Sequence, residues 1–396
     1  MDQATLERAS GDLLPELVAL RRDIHAEPEL GLENPATQGR ILEALDGLGF
    51  ELTTGSATTS VVADRGDPDG PTILLRADTD ALPMSEESGE DFTSRIEGRA
   101  HACGHDAHVA MLLGAARVMA QHGLPRSGRI RLAFQPGEEG HGGAAVMIDE
   151  GLLDGVDAAF ALHVSPNIPS GWLASRPGAL LASADEFFIS VVGEGGHAST
   201  PHFGNDPIPV ACEMVGAFQA AITRRINAFD PAVLTVARIS AGTTTNVIPE
   251  RARVEGTIRA ISESTRAAVH EEVRRVAHHV AAAHDCTVEV EVRPGYPVTV
   301  NDAEFAPWAV GVAEAQLGQG RVVELPTPIM GAEDFSYVLQ RVPGAMAFLG
   351  ACPTGIVDAL EAPSCHSNRM RIDEQAMAAG VACHVAVATN YLESRS

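Results

Sequence analysis

The sequence has few cysteines, and they do not form a disulfide pattern. Six cysteines are scattered over 396 residues without the regular spacing of a disulfide framework. The opening residues, MDQATLE, also lack the basic and apolar segments of a signal peptide. We therefore expect reduced thiols and a cytoplasmic protein.

Positive charge and long apolar runs are also scarce. The sequence has 28 basic residues against 53 acidic ones, a formal net charge of −25. Nucleic acids and anionic membrane surfaces bind clustered basic side chains, so neither is expected as a partner. No apolar stretch approaches the roughly 18 residues of a transmembrane helix. The length and the 45% of hydrophobic residues instead predict a globular chain of two domains.

The most informative segment is HACGHDAH at residues 101–108. Cys103 and His105 offer a thiolate and an imidazole on either side of Gly104. The conformational freedom of this glycine allows a tight turn that directs both side chains toward one point, as in a transition-metal site. The Cys-x-His triplet alone is weak support for a metal, because this spacing is common.

A pair of glutamates strengthens the interpretation. About thirty residues later the sequence reads QPGEEG at residues 135–140, with Glu138 and Glu139 adjacent. Because adjacent side chains diverge, one could bind a metal while the other acts as a base toward a water. The combination predicts a metal-dependent hydrolase.

Apolar periodicity predicts alternating strands and helices in the first 165 residues. The predicted strands are 60–63, 72–76, 129–134 and 157–162, and the predicted helices are 6–27, 35–48, 105–121 and 143–150. Polar residues follow the carboxyl ends of these strands, where open α/β sheets build ligand sites. They are Asp78, Asp80, Glu138, Glu139 and His163.

The pattern changes at about residue 184. The predicted strands are now 186–192, 232–240, 251–260 and 286–293, with helices at 207–226 and 263–284. Two β-α-β units in this order predict a ferredoxin-like α+β domain, a four-stranded antiparallel sheet backed by two helices. We therefore predict an inserted domain at 184–297 and a discontinuous α/β domain at 1–183 and 298–396, with a mixed, mostly parallel sheet between helices.

The last hundred residues return to α/β character. Helices are predicted at 303–317 and 374–393, another helix opens at 330–335, and a strand spans 345–349. His366 lies in a loop and could supply one more metal ligand.

Several blocks resemble one known family. They are RDIH at 22–25, HACGHDAH at 101–108, FQPGEEG at 134–140, ALH at 161–163, GGHA at 195–198, NVIP at 246–249 and GAEDF at 331–335. In order and over nearly the whole chain, they resemble the amidohydrolase branch of the M20-type aminoacylase and carboxypeptidase metallopeptidase family. That branch includes hippurate hydrolases, plant auxin-conjugate hydrolases and bacterial N-acyl-amino-acid deacylases.

The resemblance implies a site with two divalent metal ions and one bridging ligand, Cys103. The implied ligands are Cys103, His105, Glu139, His163 and His366. Glu138 would be the general base, and Asp80 would orient a histidine ligand. Mixed thiolate, imidazole and carboxylate ligands favour zinc, manganese, cobalt or nickel over magnesium or calcium.

The inserted domain would act as a lid and a dimerisation domain. By resemblance, His197 and Asn246 would donate hydrogen bonds to the oxyanion of the tetrahedral intermediate, and Arg259 would pair with the substrate carboxylate. An equivalent histidine acts in a neighbouring subunit in some relatives, which favours a homodimer.

The expected activity is hydrolysis of the amide of a small N-acyl-amino acid to a carboxylic acid and a free amino acid. A dipeptidase or carboxypeptidase on the same scaffold is the alternative within enzymes. A metal- or ligand-binding protein without activity would have lost Glu138 or a ligand, and none is lost. Two departures from the family pattern, Val-Ser-Pro after His163 and Cys365 before His366, leave the acyl preference open.

Overall fold

A computed structural model describes residues 1–123 and 128–395, whose contacts divide the chain into two compact units. Unit 1 comprises Met1–Leu180, Val300–Thr327 and Asp334–Ser396. Unit 2 comprises Leu181–Thr299 and Pro328–Glu333. The domain boundaries at 184 and 297 stay a prediction.

The helices are distributed over both units. In chain order they are α1 (Gln3–His25), α2 (Pro35–Leu45), α3 (His105–His122), α4 (Gly143–Asp149), α5 (Pro207–Arg225), α6 (Glu263–Ala283), α7 (Phe305–Leu317), α8 (Ser336–Leu339) and α9 (Ala376–Arg395), with short 3-10 turns at Pro201–Phe203 and Ala359–Glu361.

The strands occur singly or in groups of up to five between these helices. In chain order they are β1 (Glu51–Thr54), β2 (Val61–Gly66), β3 (Thr72–Asp78), β4 (Arg129–Gln135), β5 (Ala158–Ser165), β6 (Leu173–Ser175), β7 (Gly178–Leu181), β8 (Asp185–Val192), β9 (Gly196–His197), β10 (Ala232–Ala241), β11 (Val247–Ile248), β12 (Arg251–Ala260), β13 (Thr287–Pro294), β14 (Thr299–Asn301), β15 (Val322–Glu324) and β16 (Gly344–Gly350).

A mixed sheet forms the centre of unit 1. Among the described residues its strands lie in the order β1-β2-β4-β3-β5-β16-β6-β15. The neighbours β4, β3, β5 and β16 run parallel, whereas β1 and β2 join this block antiparallel. Every residue of β3 is buried, as expected for a central parallel strand covered on both faces. The predicted mixed, mostly parallel sheet is confirmed.

Helix α3 lies in the core of unit 1. It packs against α1, α9 and β3. Nearly all of its residues from His105 to Met119 are buried, which is the property of a helix that is apolar on all sides. The first turn of α3 is therefore held firmly at the carboxyl edge of the sheet.

Unit 2 has the α+β architecture expected from its sequence. Its strands lie in the order β10-β12-β8-β13, and all neighbours run antiparallel. Burial alternates along β12, and α5 and α6 pack against the buried face. A separate pair of short strands, β9 and β11, lies outside this sheet.

Some boundaries differ from the prediction. Strand β5 continues to Ser165, so His163 lies within the strand and not after it. The helix expected to open within 330–335 begins at Ser336, with Phe335 at its N-cap. Among the residues that the structure describes, no helix has the length and apolar character that crossing a bilayer requires.

Candidate metal centre

The carboxyl edge of the parallel strands in unit 1 gathers metal-binding side chains from distant parts of the chain. The potential ligand atoms of Cys103, His105 and His163 lie within 4.8 Å of one another. Those of Cys103, Glu139 and His366 also lie within 4.8 Å of one another. The structure therefore brings all the predicted ligands together, and Cys103 belongs to both groups.

The turn before α3 positions the thiol and the first imidazole. Gly104 has a φ of +89°, in the left-handed region that favours glycine. A Cβ atom at this position would lie 2.3 Å from Cγ2 of Val164, so a side chain would also clash with β5. The close approach places Sγ of Cys103 3.3 Å from Nε2 of His163.

His105 presents one ring nitrogen to the centre. Its Nδ1 hydrogen-bonds the main-chain oxygen of Asp80 at 2.8 Å, which fixes the orientation of the ring. Its Nε2 is buried and has no hydrogen-bond partner within the described residues, although Oδ2 of Asp78 lies 3.5 Å away. Burial lowers the pKa of His105, but Asp78, Asp80 and Glu139 together outweigh burial and raise that pKa well above its ordinary value. A buried nitrogen that lacks a hydrogen bond and faces acidic oxygens fits a bound cation.

Asp80 holds the turn that carries the two glutamates. Its Oδ1 accepts a hydrogen bond from the main-chain N–H of Glu138 at 2.9 Å, and its Oδ2 accepts one from Glu139 at 3.0 Å. The carboxylate is farther from the histidine, since Oδ1 lies 3.7 Å from Nδ1 of His105. Within unit 1, the main chain of Asp80 orients the histidine and its side chain orients the glutamates.

The adjacent glutamates have different surroundings. Glu139 faces the last predicted ligand, with its Oε1 3.2 Å from Nε2 of His366. Burial raises the pKa of Glu139, but His366, His105 and Cys103 together outweigh burial and lower that pKa. Glu138 is buried, and its carboxylate lies within 4.8 Å of ligand atoms of both His105 and Glu139. Glu139 thus lies in one group with His366, and Glu138 lies beside it. The division into metal ligand and general base stays a prediction.

His366 is held in place by its backbone. It has a φ of +69°, which non-glycine residues adopt rarely. Its main-chain N–H donates to the carbonyl of Ala102 at 2.7 Å. This bond ties the loop near the C-terminal end of the chain to the segment that carries Cys103.

His108 is close to the centre but has no nitrogen available for a metal. Its Nδ1 lies 2.5 Å from Oδ1 of Asp78, and its Nε2 accepts from the N–H of Val164 at 2.8 Å. Burial lowers its pKa, which favours a neutral ring with the proton on Nδ1. Asp78 also accepts from Nη1 of Arg76 at 2.5 Å. These contacts join β3, α3 and β5. The sequence indicated them only through Asp78, an acidic residue that follows an apolar predicted strand.

A second buried network lies behind the first turn of α3. Asp106, next to His105, accepts from Nε of Arg21 at 2.9 Å and lies 2.7 Å from Nδ1 of His25. The other nitrogen of His25, Nε2, lies 3.0 Å from Oε1 of Glu86. The RDIH block contains His25, but no sequence pattern assigns a role to this histidine.

A second thiol lies beside Cys103. Sγ of Cys365 is 3.8 Å from the carbonyl oxygens of both Cys103 and Val164, and Cys365 is partly exposed. The sequence showed Cys365 only as a departure from the family pattern, because its 262-residue separation from Cys103 hides the contact.

The three predicted substrate-contacting residues lie in unit 2. His197 on β9 pairs with Val247 on β11, and its Nδ1 accepts from Oγ of Ser199 at 2.7 Å. The carbonyl of Asn246 accepts from the N–H of Ala198 at 3.1 Å, so the segments of His197 and Asn246 are neighbours. Arg259 lies on β12, in the four-stranded sheet of unit 2, and is partly exposed. Their roles stay predictions.

Comparison with known proteins gives a match to Peptidase family M20/M25/M40 over residues 74–390. Thermostable carboxypeptidase 2 of Saccharolobus solfataricus is 38% identical over 384 residues, which cover 95% of this chain and 95% of that protein. IAA-amino acid hydrolase ILR1-like 2 of Arabidopsis thaliana is 37% identical, over 98% of this chain and 88% of that protein.

Solved structures agree with the sequence relatives. The Bacillus subtilis YXEP protein, described as a dinuclear metal binding peptidase from the M20 family, superposes with a TM-score of 0.84 at 32% identity. The alignment covers 97% of this chain and 99% of that one. The resemblance recognised in the sequence is confirmed, and the chain belongs to Peptidase family M20/M25/M40.

Proposed function

We propose that this protein is a metal-dependent hydrolase that cleaves the amide bond of small N-acyl-amino acids, giving a carboxylic acid and a free amino acid. The observation that carries the proposal is the arrangement around Cys103. Two groups of potential ligands, both in the described part of unit 1, share this thiol, and the buried carboxylate of Glu138 lies beside them. The relative named as a hydrolase of IAA–amino acid conjugates supports the substrate class.

The donor set supports two divalent ions. A thiolate, imidazoles and a carboxylate suit borderline cations, and we propose zinc, manganese, cobalt or nickel. Ions bound there would polarise the amide carbonyl and lower the pKa of water. Nε2 of His105, which is buried and has no hydrogen-bond partner among the described residues, also supports a bound cation.

Glu138 is proposed as the general base. It would take the proton from the attacking water and deliver it to the nitrogen of the leaving amine, which must be protonated to depart. Asp80 would act through Glu138 and Glu139, since it binds the main-chain N–H groups of both. Asp80 is thus a positioning residue that fixes where the base and the neighbouring ligand lie.

The residues of unit 2 would complete the reaction. We propose that His197 and Asn246 donate hydrogen bonds to the oxyanion that forms as water adds to the amide carbonyl. Arg259 would pair with the α-carboxylate of the amino-acid product. Unit 2 would act as a lid and mediate a homodimer, and we propose a cytoplasmic location.

A carboxypeptidase or dipeptidase is the second candidate, because a thermostable carboxypeptidase is 38% identical over nearly the whole chain. The two functions differ at the acyl side of the scissile bond. A dipeptidase must bind a free α-amino group there, whereas an amidohydrolase accepts an uncharged acyl group.

A substrate panel tests the proposal. Metal-free protein is loaded separately with zinc, manganese, cobalt or nickel, and kcat/KM is measured for acetyl-, benzoyl- and aminoacyl-amino acids. We expect activity only with a metal, and higher kcat/KM for acetyl or benzoyl substrates than for aminoacyl ones. Preference for aminoacyl substrates would favour the dipeptidase, and full activity of protein that stays metal-free would exclude the metal mechanism.

A further inference from the structure

Two thiols meet at the proposed metal centre. Sγ of Cys365 lies 3.8 Å from the carbonyl oxygen of Cys103, so the two cysteines are direct neighbours in space. Both cysteines are free thiols. The proposed function uses only Cys103 and gives no role to Cys365.

The local backbone suits a bond between the two sulfur atoms. A disulfide needs Cα atoms separated by about 4.4 to 6.8 Å, with the side chains directed toward each other. The N–H of His366, which follows Cys365, donates to the carbonyl of Ala102, which precedes Cys103, at 2.7 Å. The two chain segments thus already approach at hydrogen-bond distance beside the two cysteines.

The two thiols differ in exposure. Cys103 is only 6% exposed, whereas Cys365 is partly exposed and precedes His366, whose side chain is 54% exposed. Cys365 is therefore the more accessible of the two thiols for a small oxidant from solvent.

We propose that Cys103 and Cys365 form an oxidisable dithiol whose oxidant is a peroxide. The sulfur of the Cys365 thiolate attacks one peroxide oxygen, so that an S–O bond forms, the O–O bond breaks and hydroxide leaves. The Cys103 thiolate then attacks the sulfur of the Cys365 sulfenic acid, the S–S bond forms, and the oxygen leaves as a second hydroxide. In total, two thiols and one hydrogen peroxide become one disulfide and two waters.

Oxidation and metal binding compete for the same sulfur atom. A disulfide sulfur lacks the negative charge of a thiolate, so the disulfide removes Cys103 from both ligand groups. A bound cation in turn occupies the Cys103 thiolate and protects the pair. This competition rests on the proposed metal function, whereas disulfide formation itself does not.

Peptide mapping tests the dithiol directly. Metal-free protein and protein saturated with zinc are treated with hydrogen peroxide, the remaining thiols are alkylated, and the digests are analysed by mass spectrometry without reduction. We expect a peptide that links Cys103 to Cys365, formed in the metal-free protein and reversed by a reductant. At zinc about tenfold above its Kd, its rate of formation should fall about tenfold.

Two variants serve as controls. Cys365→Ser should abolish the linked peptide and keep zinc binding in a competition assay with a chromophoric chelator. Cys212→Ser, which removes an exposed thiol in unit 2, should change neither result.

The outcomes separate the two proposals. Absence of the linked peptide in metal-free parent protein, or pairing of Cys365 with another cysteine, would refute the dithiol. Linkage at equal rates with and without zinc would refute the competition. If the linked protein binds zinc with unchanged affinity, Cys103 is not a metal ligand, and the proposed metal centre is wrong while the dithiol stands.

Discussion

The charge on His25 should make the stability of unit 1 depend on pH. Burial alone would lower the pKa of this histidine, but the carboxylates of Asp106 and Glu86 outweigh burial and raise the pKa to about 9 from 6.5. His25 is therefore protonated in the folded protein at neutral pH, although its side chain is only 4% exposed.

The direction of the effect follows from proton linkage. A group whose pKa is raised by folding contributes its full stabilisation at pH values below the pKa that it has in the unfolded chain, which is 6.5 for His25. That stabilisation is lost as the pH rises through about 9, where the folded protein also gives up the proton. At about 1.4 kcal/mol for each pH unit, the difference between about 9 and 6.5 amounts to about 3 kcal/mol of unfolding free energy.

Urea unfolding at a series of pH values measures this contribution. The parent and His25→Gln are compared between pH 6 and 10 in a chelator, so that metal binding does not contribute. We expect the parent to be more stable at pH 6 and the gap to shrink by about 3 kcal/mol by pH 10. The variant His202→Gln, which changes an exposed histidine of unit 2, should show no such trend. A gap between the parent and His25→Gln that is constant across the range would refute the assigned charge.

Three further predictions concern the proposed site. Asp80→Asn leaves one carbonyl oxygen to accept from the two N–H donors of Glu138 and Glu139. Loss of a hydrogen bond to a charged group costs about 1.5 to 3 kcal/mol, so kcat should fall about 10- to 150-fold, while the metal content should stay unchanged. If Asp80→Asn lost metal together with kcat, the positioning role of Asp80 would be contradicted. Arg259→Ala should raise KM for substrates with a free carboxylate by a similar factor and leave amidated substrates nearly unchanged. Equal effects on acids and amides would mean that another residue binds the carboxylate. Light scattering at assay concentration should give a homodimer, and an active monomer would exclude any need for a partner's His197.

Much of the fold was predictable because the periodic patterns are strong. Strand β3 is a short apolar run between polar residues, and α6 shows buried residues at helical spacing. The carboxyl ends of parallel strands lie at one edge of a sheet, so the convergence of Asp80, Glu138 and His163 also followed from the sequence. The short edge strands β1 and β15 were missed, because three or four mostly exposed residues carry little periodicity.

The contacts inside the site were less predictable, because they join residues far apart in the chain. His108 belongs to the same sequence block as Cys103 and His105, yet hydrogen bonds to Asp78 and Val164 occupy both of its nitrogens. The side chain of Asp80 binds main-chain N–H groups 58 and 59 residues away. No local pattern of residue types specifies such pairs, since main-chain groups are the same at every position.

The central claim is that adjacent glutamates divide two tasks, general base and metal ligand. Glu138→Gln keeps the size of the side chain and removes the base, whereas Glu139→Gln replaces a carboxylate that lies with Cys103 and His366 in one ligand group. The most direct test measures kcat and metal content together in these two variants and the parent. We predict that Glu138→Gln lowers kcat by about 10² to 10⁴ at normal metal content, and that Glu139→Gln loses metal. Equal metal loss in both variants, or an unchanged rate in Glu138→Gln, would contradict the account.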